Sequence, residues 1–170
     1  MVERAEFDRS AEFPITLSVM NCYKAIVFLW EYRWRTESQV QRFYKEYPDM
    51  SEIIKPDDDP ILLHARDLEK RFNDGLRKRR PDGTVEVVLS FDHIEAMSCF
   101  AYLRTAGEKF LPQSGTNYGS RLNNLMFDIN RAFIDAGGVD TDVDSLFYTI
   151  DCADSLEEWL DLYKKGTGDE

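Results

Sequence analysis

Side chains able to carry catalysis are few and scattered. Histidine occurs only at His64 and His93, and cysteine only at Cys22, Cys99 and Cys152. Zinc sites draw on close pairs such as Cys-x-x-Cys or His-x-x-x-His, and no such spacing links these residues. A Cys99 or Cys152 nucleophile with His93 as base would have to be assembled by the fold. Otherwise each cysteine is a small hydrophobe. Phosphate-cradling glycine loops, Gly-x-Ser-x-Gly, His-Glu-x-x-His and the dinucleotide fingerprint are absent. Glu157 and Glu158 adjoin on one helix and cannot face each other as an acid/base pair. The catalytic alternative is thus a small enzyme or ligand-binding domain with a site drawn from distant residues, His93, Cys99 and Asp151 being its nominal members. No cofactor is implied.

Two charged clusters are denser. Asp140-Thr141-Asp142-Val143-Asp144-Ser145 sets three carboxylates at alternating positions directly after a helical stretch. This resembles the start of the 12-residue calcium loop of the EF-hand family. The resemblance implies a calcium-responsive module with Asp140, Asp142, Asp144 and Asp151 as ligands, although Ser145 stands at the glycine position and Asp151 at that of the closing glutamate. Taken without the resemblance, the segment is a solvated acidic loop, and no metal is assigned. Arg77-Lys78-Arg79-Arg80 has the charge to touch phosphates. Cations in the last turn of a helix also complement its negative end. The second account fits better, because no aromatic platform is interleaved with the tetrad.

The elements that must position these residues are mostly helical. Phe13, Ile15, Leu17 and Val19 alternate as in a short strand, with Pro14 near its start. From Val19 to Arg35 a narrow polar stripe of Lys24, Glu31 and Arg35 marks an otherwise apolar helix. Tyr23, Trp30 and Trp34 on that helix read as core. A second helix over Ser38–Tyr47 stops at Pro48. Asp59-Pro60 opens a third helix whose Ile61, Ala65, Leu68, Phe72 and Leu76 share a face, with Gly75 fraying its end. Residues 84–89 have the β-branched content of a strand. Asp92 and Glu95 are spaced as a capping box for a helix ending near Gly107. Residues 112–117 read as a loop, and a periodic helix over 119–136 stops at Gly137-Gly138. Residues 145–150 have strand character, and Asp154 caps a last helix carrying Leu156, Trp159, Leu160 and Tyr163.

The pattern predicts a helix-dominated α+β domain over residues 12–165 with a two- to three-stranded sheet, a flexible N-terminus over 1–11 and a flexible tail over 166–170. A strand and helix, then Tyr118-Gly119-Ser120-Arg121-Leu122, then a strand and helix, is similar to the arrangement in barstar-type ribonuclease inhibitors. The acidic residues of their binding helix would fall at Asn123 and Phe127, so the binding chemistry does not carry over.

At 170 residues the chain has the size of one domain, and its 43% hydrophobic content is that of a folded protein. An odd number of distant cysteines and no cationic-then-apolar leader point to a reducing, cytoplasmic setting. The longest apolar run, Ala25–Trp30, is far short of a membrane span. Charge is segregated. Residues 1–80 carry 15 basic and 15 acidic side chains, whereas residues 81–170 carry six against 17 and so hold the whole net charge of −11. Such a field attracts basic partners and repels nucleic acid and anionic membranes. The expectation is a non-enzymatic acidic protein that neutralises a basic, nucleic-acid-handling protein, as immunity proteins and phage anti-defence inhibitors do. Its partner-binding residues are Asp140, Asp142, Asp144, Tyr148, Asp154, Glu157, Glu158, Trp159, Asp161 and Tyr163. A homodimer is compatible with this layout.

Overall fold

A computed structural model describes residues 7–110 and 119–167. The fold is helix-dominated α+β, with strands β1 (Glu12–Ser18) and β2 (Thr84–Ser90) paired as a two-stranded antiparallel sheet. Among the described residues six α-helices accompany it: α1 (Val19–Glu46), α2 (Pro60–Arg77), α3 (Phe91–Phe110), α4 (Gly119–Asp135), α5 (Val143–Cys152) and α6 (Leu156–Thr167). The chain divides into two compact units, residues 16–88 and residues 1–15 with 89–170.

In the unit of residues 16–88, α1 and α2 pack along each other. Ser18 caps α1 by accepting from the Asn21 amide at 3.0 Å. The expected break between two helices at residues 36–37 does not occur, and one 28-residue helix runs through. Its polar middle is used internally. Thr36 is buried, and Glu37 accepts from Arg33 and from Arg66 of α2. The buried face of α1 is Cys22, Ala25, Phe28, Leu29, Thr36, Val40 and Tyr44. Tyr23, Trp30 and Trp34, expected in the core, are instead 58%, 52% and 57% exposed. Helical spacing identified an apolar face, but α1 has two, and α2 covers only the first.

Two short 3-10 turns, Pro48–Glu52 and Pro56–Asp58, lead to α2, which begins at Pro60 as expected. Gly75 does not fray the helix. It is buried, and a Cβ built there would lie 2.7 Å from the Glu86 carbonyl oxygen and 3.0 Å from Val87 Cγ2. Only glycine lets α2 approach β2 so closely. The connecting turn is closed by Gly83 at φ 82°, with Asp82 accepting from the Thr84 amide and hydroxyl. Those two bonds hold the Asp82 carboxyl below its ordinary range.

The other unit contains α3 to α6. The expected cap of α3 is displaced by two residues. Ser90 Oγ accepts from the His93 amide while His93 Nδ1 accepts from the Ser90 amide at 2.9 Å, a reciprocal box with histidine in the glutamate role. Asp92 and Glu95 are bound instead by Arg9, at 2.9 and 2.6 Å, and the Arg9 guanidinium stacks 4.8 Å over Phe91. Phe7 also packs edge-on against Phe91. Helix α3 continues past Gly107 to Phe110. The loop expected at 112–117 lies outside the described residues. Helix α4 ends as the glycine pair requires: the Gly138 amide donates to Phe133 and the Gly137 amide to Ile134, with Gly137 at φ 105°.

Residues 145–150 are not a strand. They belong to α5, whose Val143, Phe147 and Ile150 form one buried helical face. Short apolar runs with β-branched residues fit either state, and here burial at i, i+4 and i+7 decides for the helix. With that strand gone, the strand-helix-strand order behind the barstar-type likeness is absent.

Candidate functional site

The acidic segment is built on the end of α4. Asn130, almost fully buried, donates through Nδ2 to Asp140 Oδ1 at 3.0 Å and accepts through Oδ1 from the Thr141 amide and hydroxyl. Asp140 Oδ1 also accepts from the Asp142 amide at 2.8 Å. The Asn130 bond, then the Asp142 amide, hold the Asp140 carboxyl below its ordinary range. Asp142 takes the left-handed conformation at φ 59°, and its carboxylate accepts from Ser145. Asn130 was not singled out by the sequence reading, since a polar residue inside a periodic helix carries no local signal.

This geometry departs from a calcium loop. Helix α5 starts at Val143, the fourth position of the 12, so the chain is already helical where ligands at positions five and seven should project. Asp140 and Asp142 are occupied by Asn130, a backbone amide and Ser145. Among the described residues no cluster of three or more metal-ligating side chains is formed. The Asp151 side chain lies outside them.

Beyond the loop, carboxylates stand on solvated helix surface. Asp144 and Tyr148, four residues apart on α5, are both exposed, Tyr148 at 66%. A hydrogen bond with Cys152 raises the Tyr148 hydroxyl above its usual value. The cap of α6 is Ser155 rather than the expected Asp154. Ser155 Oγ accepts from the Glu158 amide, and Glu158 accepts from the Asp154 amide at 2.9 Å. Glu158 is therefore partly used in capping, while the Asp154, Glu157 and Asp161 side chains are exposed. From Ala132 to Tyr163 the chain has no Lys, Arg or His. The side chains of Trp159 and Tyr163 lie outside the described residues.

The catalytic candidates are not brought together in what is described. The His93 ring is held by Ser90. Partial desolvation of its sulfur, then Glu95, raises the thiol of Cys99, a residue otherwise exposed, opposite to what a nucleophile needs. Burial pushes Cys22, which donates to the Phe72 carbonyl, up to about 11. Two open grooves of about 520 and 370 Å³ flank α2, lined by residues such as Lys70, Asp74 and Arg77 or Arg80, and neither includes a histidine or cysteine. In the basic tetrad, Arg80 pairs with Glu86 at 2.7 Å and Arg77 approaches Asp74 at 3.8 Å. No helix among the described residues is long and apolar enough to cross a membrane. Comparison with models of protein families, with curated proteins and with solved structures finds no match for this chain.

Proposed function

We propose that this chain is a non-enzymatic binding protein that covers and neutralises a basic surface of a nucleic-acid-handling protein, acting in the cytoplasm as immunity proteins and phage anti-defence inhibitors do. The observation that carries this reading is the surface of α5 and α6. There Asp144, Asp154, Glu157 and Asp161 are exposed on the two helices and the turn between them, as is Tyr148 on α5, in a stretch of 32 residues without a cation. In the unit of residues 16–88, by contrast, Glu37, Glu69, Asp67 and Glu86 are each paired with an arginine. A field predominantly of one sign, tempered here by Lys109 at the Ile150 carbonyl of α5, steers an oppositely charged partner and sets its register. An exposed tyrosine within it supplies an apolar anchor with a polar tip. The same field repels the nucleic acid that the partner would otherwise hold.

The test is capture of the partner on the immobilised chain, followed by reconstitution from purified components. Addition of the chain should displace nucleic acid from the partner with one-to-one stoichiometry, and Tyr148→Ala should weaken this. A partner that keeps its nucleic acid when saturated with the chain would rule the inhibitory role out.

A further inference from the structure

The outer face of α1 carries a second, chemically different surface. Met20, Tyr23, Val27, Trp30 and Trp34 are separated alternately by three and four residues, and all are exposed, from 40% for Val27 to 64% for Met20. That spacing is the seam of helices that pack lengthwise on one another. Isolated exposed apolar side chains need no explanation, but five in one seam, two of them tryptophan, mark an association surface. We infer that this seam is the interface of a homodimer in which two α1 helices pack antiparallel.

Two observations favour a second copy of this chain over another occupant. The first is charge. One flank of the seam is closed by α2, since Arg33 donates to Glu69 at 2.7 Å and Glu37 accepts from Arg66 at 3.1 Å. The open flank carries Lys24, Glu31 and Arg35, Glu31 and Arg35 being paired at 3.0 Å. A two-fold axis crossing near Val27 sets Lys24 of each copy beside Glu31 of the other. Parallel pairing would bring like residues to the same level instead. The second is area. With a buried aromatic side chain worth about 150–250 Å², the five exposed portions amount to roughly 500 Å² per copy. Two copies then remove about 1,000 Å² from water, the size at which a specific interface begins.

Sedimentation equilibrium between about 1 and 100 µM should show a concentration-dependent mass approaching twice the 19.8 kDa of the chain. Trp34→Ala should raise the dimer dissociation constant at least about tenfold, with the far-UV circular dichroism unchanged because Trp34 is exposed. Lys24→Glu or Glu31→Lys alone should raise it roughly three- to tenfold, since each occurs twice per interface, and the double reversal should restore it. A monomer throughout that range overturns the inference. So does a dimer indifferent to Trp34→Ala, and charge reversals that add instead of compensating overturn the antiparallel register. Capture of α1 by lipid vesicles with the free chain monomeric would reassign the seam to a membrane surface.

Discussion

Substitution of Gly75 by alanine adds a single methyl where α2 runs against β2. In an open helix this change stabilises by about 1 kcal/mol, because glycine has more backbone entropy to lose. At Gly75 the new Cβ would stand 2.7 Å from the Glu86 carbonyl oxygen, an atom of the strand backbone that has no rotamer to escape into. Relief requires helix and strand to part by roughly 0.7 Å to regain van der Waals distance. Overpacking costs about 1–3 kcal/mol, and against a backbone atom that cannot yield it falls in the upper part, about 2–3 kcal/mol, so that after the helical gain a net loss of about 1–2 kcal/mol is left. Urea denaturation followed by circular dichroism should therefore show a midpoint lower by about 0.5–1 M at an unchanged slope. Gly83→Ala is the control. Nothing lies within 4 Å of its Cβ, so only the strain at φ 82° acts, costing about 1 kcal/mol. A Gly75→Ala midpoint equal to or above that of the parent chain would refute the close approach of α2 to β2.

Three further outcomes follow from named contacts. Ser90→Ala removes one arm of the box at the start of α3 and should cost about 1 kcal/mol in the same denaturation assay. Asp140 has a depressed folded pKa. Its contribution is therefore present above the ordinary carboxylate pKa of about 3.9 and is lost as pH falls through the folded value. Asp140→Asn should flatten the acid limb of a stability-against-pH curve without altering its slope near neutrality. A disulfide exchange reagent at mildly alkaline pH should modify the exposed Cys99 and Cys152 and leave Cys22 unreacted until the chain unfolds, because Cys22 is buried and its thiol is pushed up to about 11.

The parts of the fold that the sequence made legible are those with local chemistry. The two strands show as alternation and β-branched content, and the start of α2 at Pro60 and the end of α4 at Gly137-Gly138 rest on residues whose backbone options are unusual. Where several partners compete, local pattern failed. Asp92 and Glu95 have capping-box spacing, yet a distant arginine, Arg9, takes both, and Ser90 with His93 caps the helix. The polar residues 36–37 fell between two expected helices, whereas ion pairs to Arg33 and to Arg66 of α2 satisfy Glu37 and the helix continues. The acidic segment was visible as composition, but its anchor, Asn130, was not, because its partners lie ten and eleven residues away. The seam of α1 was visible as apolar content and assigned to the core. Periodicity tells which residues share a face, and only the packing shows whether that face is covered.

Calorimetric titration of the purified chain with its captured basic partner tests the role proposed for the carboxylates of α5 and α6. The titration is repeated at about 50 and 300 mM salt, between which the screening length falls from about 14 to about 6 Å. A variant carrying Asp144→Asn, Asp154→Asn and Glu157→Gln is run in parallel. Affinity should fall by at least about tenfold with salt in the parent chain, and the variant should bind weakly and with little salt dependence. Equal affinity at both salt concentrations, or a variant that binds like the parent, would contradict the account.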